Sequence, residues 1–255
     1  MTTDIPAPRQ RRLRLFNLAA AVLHAVQAVV VVVLATDFAL PVTASYLAGP
    51  PGTAPQEPTV LFDLPTGPAV AAFLVLSALA HLLVVTLWWR GYVDDLARRI
   101  NRARWVEYSL SSSLMMVVIA QLVGIADLTA LLAIVGVNAS MILFGWLQEK
   151  YEEPGGGGWL PFWFGCIAGA VPWIAVVLYV VAPQSPADVS PPGFVYGIVG
   201  SLFVFFNIFA LNQWLQYRAK GRWADYLFGE TTYIVLSLVA KSLLAWQVFG
   251  GTLAG

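Results

Sequence analysis

Charge is scarce in this sequence. Of its 255 residues 14 are Lys or Arg and 14 are Asp or Glu, so charged side chains make up 11%, against about 25% in an ordinary soluble domain. Too few polar groups remain to cover a water-soluble globule of this length. Cysteine is nearly absent: Cys166 stands alone, which excludes an internal disulfide and marks it as a small buried residue. There are only two histidines, and the formal net charge is zero, which leaves no field to attract nucleic acid. No spacing of Cys, His, Asp and Glu suits a metal ion, and no nucleophile stands at a useful distance from a base. Intrinsic enzyme activity is therefore not expected.

What the chain has instead is apolar length. Hydrophobic residues make up 59% and the mean hydropathy is +0.74. A hydrocarbon core of roughly 30 Å is crossed by about 20 apolar residues in a helix. Seven segments meet that length, at about 13–36, 66–89, 97–125, 127–149, 159–182, 193–218 and 228–250. The fold class is an all-α membrane protein, one seven-helix domain over 1–255. Spans three and four are divided only by "GIAD" at 124–127, and "GGGG" at 155–158 is a flexible turn. The basic start "RQRRLRLF" leads into a run too long for a cleavable signal, so span one is expected to be an anchor.

Direction follows from the basic residues. Arg9, Arg11, Arg12 and Arg14 precede span one; Arg90, Arg98, Arg99, Arg102 and Arg104 lie between or at the facing ends of spans two and three. Lys150 follows span four, and Arg218, Lys220 and Arg222 follow span six. With seven spans these thirteen of the fourteen fall on one side, which the positive-inside rule makes cytoplasmic. The protein is thus expected in the cell membrane, amino terminus inside and carboxyl terminus outside. The largest outer loop, 37–65, carries "VTASYL" and "TVLF" around a Gly/Pro turn, a pattern that permits a small β-hairpin or an irregular Pro-stiffened loop.

The fourteenth basic residue is Lys241, in the middle of the apolar run "IVLSLVAKSLLAWQ" at 234–247. A charge at the centre of a span costs roughly 2.5–3.5 kcal/mol on insertion scales, so it requires a partner or a chemical purpose. At 1.5 Å per residue, Lys241 lies about 13 residues from the cytoplasmic edge, His24 about 11, Glu107 about 10 and His81 about 8. Both histidines and the deepest carboxylate thus share a layer just cytoplasmic of the lysine. Ser237 lies one turn below Lys241 on the same face. Taken singly, each of these residues has a bland role: packing for a histidine, snorkelling for the glutamate, a backbone hydrogen bond for the serine. Two chemistries suit the group as a whole. Lys241 is a permanent cation paired with Glu107 in an ion path, or its amine forms a Schiff base with an aldehyde and Glu107 is the counterion.

Seven spans with a lysine in the last resemble the microbial rhodopsins. The strings "RWVEYSLSSS" at 104–113, "GVNASMILFGWLQEKY" at 136–151, "LPFWFGCIAG" at 160–169 and "YIVLSLVAKS" at 233–242 narrow the resemblance to the heliorhodopsins, as do "DFALP" and "GPPGT" in the first loop. The resemblance covers the whole chain, and its inverted orientation agrees with the charge pattern. It implies all-trans retinal on Lys241, Glu107 as the single counterion, and a water-containing polar cavity holding His24 and His81. Arg104 matches the usual helix-three arginine; Ser111 and Ser242 are further cavity candidates, and Ser237 is placed to hydrogen-bond the Schiff base. Helical offset then suggests a retinal pocket of Tyr108, Ser112, Asn138, Met141, Gly145, Trp163, Pro172, Phe206 and Gln213. Gly145 is expected to let the ring of the chromophore approach the backbone.

Proton pumps of the wider superfamily set an acceptor carboxylate, a Thr four residues on and a carboxylic donor seven beyond. From Glu107 this sequence offers Ser111 and Val118, and the second carboxylate expected four residues before the lysine is Ser237. A light-sensing photoreceptor is therefore expected, its proton moving into the cytoplasmic-side cavity and altering the face that carries "GYVDDLARRINRAR" and "YRAKGRWADY". The alternatives are a light-driven proton transporter or channel, and a light-dependent modulator of a partner enzyme. Expected partners are retinal, membrane lipid, an unidentified signalling protein and a second copy of the chain. For that second copy the GxxxG pattern "GCIAG", 165–169, is a candidate contact.

Overall fold

The computed structural model describes residues 5–54, 56–181 and 190–253. Seven of its helices are long and apolar enough to cross a membrane: α1 Ala7–Leu34, α2 Thr66–Val85, α4 Arg102–Leu122, α5 Leu128–Tyr151, α6 Leu160–Val180, α7 Gly193–Arg218 and α8 Tyr226–Val248. The seventh is prolonged by a π-turn, Phe249–Leu253. The expected seven-span architecture holds, and so does the break at "GIAD": α4 ends at Leu122, Gly124 turns at φ 99°, and Asp127 caps α5.

One helix escapes hydropathy. Hydropathy puts spans two and three at 66–89 and 97–125, but the chain leaves α2 at Val85 and inserts a nine-residue helix, α3 Trp89–Ala97. It is amphipathic. Tyr92 and Leu96 join Ile5, Leu13, Val84, Tyr226 and Leu227 in a small apolar core, while Arg90 and Asp94 face outward. Its one buried acid, Asp95, is clamped by Arg98 at 2.8 Å and Arg102 at 2.8 Å. The first helix also begins earlier than hydropathy suggests, because Pro8 fits a first turn whose N–H groups have no helical partner.

The loop after α1 forms the hairpin, β1 Ala39–Ala44 and β2 Thr59–Pro65, antiparallel from Ala39 opposite Pro65, with a bulge between Val42 and Thr43. Thr43 donates its N–H to Ala126 O at 2.9 Å, which fastens the hairpin to the α4–α5 break.

Centrality of α4 decides where the site lies. It packs against α2, α5, α6 and α7, and 61% of its most apolar window is buried, against 22–39% in the other six. Polar groups on α4 therefore meet protein rather than lipid. Large apolar side chains such as Val33, Leu132, Ile167 and Leu178 point outward instead, the surface a bilayer would cover. Inside, a large apolar core occupies the hairpin half, from Val31 and Phe73 through Met116 and Ile119 to Leu244 and Val248. The small core around Tyr92 closes the other end. Polar side chains fill the layer between them.

Candidate functional site

Lys241 is 3% exposed and fully paired. Its Nζ donates to Glu107 Oε1 at 2.8 Å and to Ser237 Oγ at 2.8 Å; the ring of Tyr108 lies beneath it, 5.0 Å to the centroid. The contact with Ser237 is the i, i+4 relation on one helix. The contact with Glu107 joins α8 to the central helix. A further donor, absent from the sequence expectations, is Ser77 on α2, whose hydroxyl reaches the same Oε1 at 2.6 Å. An ion pair this deep persists only because each partner has such additional hydrogen bonds.

Beside Glu107 lies a small polar cavity of about 30 Å³, lined by Asn17, His81, Tyr92, Asn101, Arg104, Glu107 and Glu230 among others. That is room for roughly one water molecule. His81 Nδ1 meets Asn17 Oδ1 at 2.7 Å. His24 stacks on His81 with ring centroids 6.0 Å apart and 13° between planes, yet neither of its nitrogens has a partner in the protein. The two histidines and Glu107 thus share one layer. His24 touches that layer through its neighbour; it does not line the small cavity.

Arg104 stands on the cavity wall away from the lysine. It is paired with Glu149 of α5 and Glu230 of α8, both buried. Glu149 also accepts from Trp105 Nε1 at 2.6 Å, from the Asn101 N–H at 3.0 Å and from the Tyr226 hydroxyl at 3.2 Å. Glu230 takes its second bond from Asn101 Nδ2 at 2.7 Å. Sequence reasoning missed both glutamates, since each lies within about a turn of a helix end, where a charge ordinarily reaches water. The signal available was their spacing against Arg104 across three helices, which no single-helix pattern displays.

The other side of Lys241 opens into a cavity of about 320 Å³, within the range of small-molecule pockets. Its walls are aromatic. Trp173 meets Phe203 and Phe206 edge-on at 5.3 and 5.4 Å, and Tyr108 meets Phe209 at 5.5 Å. Of the expected pocket residues, Tyr108, Ser112, Met141, Gly145, Phe206 and Gln213 line it, and Ser111 lines it too, away from the small cavity. Ser237 and Lys241 form its polar end.

Four expectations fail. Trp163 is 55% exposed and points away; the face of α6 toward the cavity is Phe162, Gly165, Cys166, Gly169 and Trp173, and residue 163 lies about 100° off it. Pro172 is buried, yet its neighbour Trp173 supplies the wall. Asn138 stands behind the cavity, donating to Ser112 Oγ at 2.8 Å and Ser113 Oγ at 3.1 Å. Ser242, one residue past the lysine, faces neither cavity.

Two glycine roles change as well. A Cβ on Gly145 would stand 2.5 Å from Trp105 Cζ3, so the space there admits that indole. Gly169 is taken up by Met141 Sδ, 2.5 Å from the same hypothetical atom, and Gly165 by the Met141 carbonyl at 3.4 Å. The GxxxG pattern therefore serves contact between α5 and α6 of one chain.

Retinal is an aldehyde on a long apolar body, and these residues fit it: a primary amine opens into an apolar, aromatic-walled cavity, with a carboxylate held against that amine. Among curated proteins none matches the chain. The crystal structure of the transmembrane domain of Salpingoeca rosetta rhodopsin phosphodiesterase is similar in fold, with a TM-score of 0.66 and 14% identity over 94% of this chain and 84% of that one. The heliorhodopsin family model matches residues 13–253. With nearly its whole length matched, the chain belongs to the heliorhodopsin family of retinal photoreceptor proteins, multi-pass in the membrane.

Proposed function

We propose that this protein is a light sensor in which retinal, as a protonated Schiff base on Lys241 Nζ, supplies light absorption and isomerisation. Glu107 Oε1 balances the charge at Nζ, and Ser237 and Ser77 hold nitrogen and carboxylate in register. To react with an aldehyde the amine must first lose a proton, and Glu107, in direct contact, is placed to take it. Trp173 and Phe206 exclude water from the apolar end of the site. With retinal bound, light would move the Nζ proton out toward the layer that holds Glu107, His81 and His24. The amino terminus is cytoplasmic, on the strength of the thirteen basic residues at that end.

The observation that carries sensing over pumping is one-sidedness. Vectorial transfer needs titratable groups on both sides of the nitrogen, matched to hand a proton across. Among the described residues every buried acid, Asp95, Glu107, Glu149 and Glu230, lies on the amino-terminal side of Lys241. The hairpin side is the large apolar core.

The test is reconstitution with all-trans retinal in membranes. The expected result is a visible band, absent in Lys241→Ala, with no sustained light-driven pH change in cells. A colourless wild type ends the retinal assignment, and an uncoupler-sensitive pH change ends the sensor assignment.

A further inference from the structure

Buried charge in the polar layer does not sum to zero. Lys241 and Glu107 cancel, but Arg104 faces both Glu149 and Glu230, leaving one negative charge in excess at 5% exposure or less on each carboxylate. Of these carboxylates, one therefore lacks a full cationic partner and can take a proton without leaving Arg104 unpaired. The two carboxylates are not equivalent. Glu149 holds four donors on two oxygens, from Arg104, Tyr226, Asn101 and Trp105, so its lone pairs are already engaged. Glu230 holds two, from Arg104 and Asn101. Glu230, with Arg104, also lines the small cavity that Glu107 lines, and Glu149 does not.

We propose that Glu230 is the end acceptor of the proton released from Lys241 Nζ in light; this rests on the retinal reading above. The N–H bond at Nζ breaks with its electron pair kept by nitrogen, an O–H bond forms on the Glu230 carboxylate, and no other bond order or oxidation state changes. The transfer runs through a cavity with room for roughly one water, past Glu107 and His81. Afterwards Arg104 is balanced by Glu149 alone, Glu230 releases its hold on the guanidinium, and the one excess negative charge of the layer rests on Glu107, whose partner Nζ is now neutral.

The remaining ionisable groups around this point have other duties. On α3, Asp95 is held by Arg98 and Arg102, and the Tyr92 hydroxyl faces Asn17 at 3.4 Å. On α7, Tyr217 donates to Gln148 O at 3.0 Å. On α8, Tyr226 donates to Glu149, and Tyr233 lays its ring 4.0 Å from the Arg104 guanidinium carbon. On α2, His81 is engaged by Asn17. The competitor is His24 on α1, with both nitrogens free; it does not line the small cavity beside Glu107, whereas Glu230 does.

The experiment is light-minus-dark infrared spectroscopy of the full chain carrying all-trans retinal in lipid nanodiscs, in the state whose visible band has moved to the blue. A new protonated-carboxyl C=O band is expected, shifted in Glu230→Asp, missing in Glu230→Gln and kept in Glu149→Gln. A coloured wild type with no such band, a band unmoved in Glu230→Asp, or one that survives Glu230→Gln overturns the proposal alone. Should Glu230→Gln not fold, wild type and Glu230→Asp decide it. A colourless preparation overturns the retinal reading and this proposal with it.

Discussion

Ser77 donates its hydroxyl to Glu107 across the α2–α4 interface at 2.6 Å, on the same carboxylate oxygen that receives Lys241. The donor draws negative charge away from the side facing Nζ. Ser77→Ala should concentrate that charge, favour the ground state of the bound chromophore and move the visible band to the blue. Glu107→Gln should move it to the red, because removing the anion favours an excited state whose positive charge has shifted toward the ring. Absorption spectra of both variants check the pair, and shifts of the same sign would contradict this charge placement.

Gly145 is a packing position for Trp105. Gly145→Ala puts a methyl group 2.5 Å from the indole edge, and the ring cannot retreat without losing its 2.6 Å bond to Glu149. Overpacking of this kind costs roughly 1–3 kcal/mol. Thermal denaturation in detergent should show the loss even without retinal.

The glycines at 165 and 169 should report on α5–α6 packing. Gly169→Leu is expected to lower thermal stability, and adding Met141→Ala should restore part of it by clearing the colliding sulfur. Cross-linking or light scattering shows whether assembly changes at matched folded fraction; a clean loss of dimer with unchanged stability would return the motif to an intermolecular role.

Asp127 gives a pH signature outside the membrane-spanning segments. The Thr129 hydroxyl, then the Ala130 N–H, hold its carboxyl below the usual range. A depressed folded value means the contribution is present above the ordinary carboxylate pKa, about 3.9, and lost as pH falls through the depressed one. Wild type should melt above Asp127→Ala at neutral pH, and the two curves should converge on acidification.

The bundle was legible because membrane spans announce themselves as uninterrupted apolar runs. Lys241 and Glu107 stood out for the opposite reason, as charges where charge is expensive. Ser77 and Asn17 carried no such mark, since Ser and Asn occur freely in helices and their partners lie 30 and 64 residues away. Trp163 was misplaced because helical offset from a string match fixes phase only to within a residue, and one residue turns a side chain from pocket to lipid. The short α3 was invisible to hydropathy because its apolar residues cover one face of nine residues.

The stacking of an apolar half on a polar half has an electrical consequence. Every buried acid among the described residues sits in one half of the slab, so on the proposed reading a flash should displace charge across part of the membrane's dielectric thickness and then let it return. In a planar bilayer under repeated illumination the protein should behave as a capacitor, giving a brief current at light-on, an equal and opposite one as the dark state recovers, and no steady flow between.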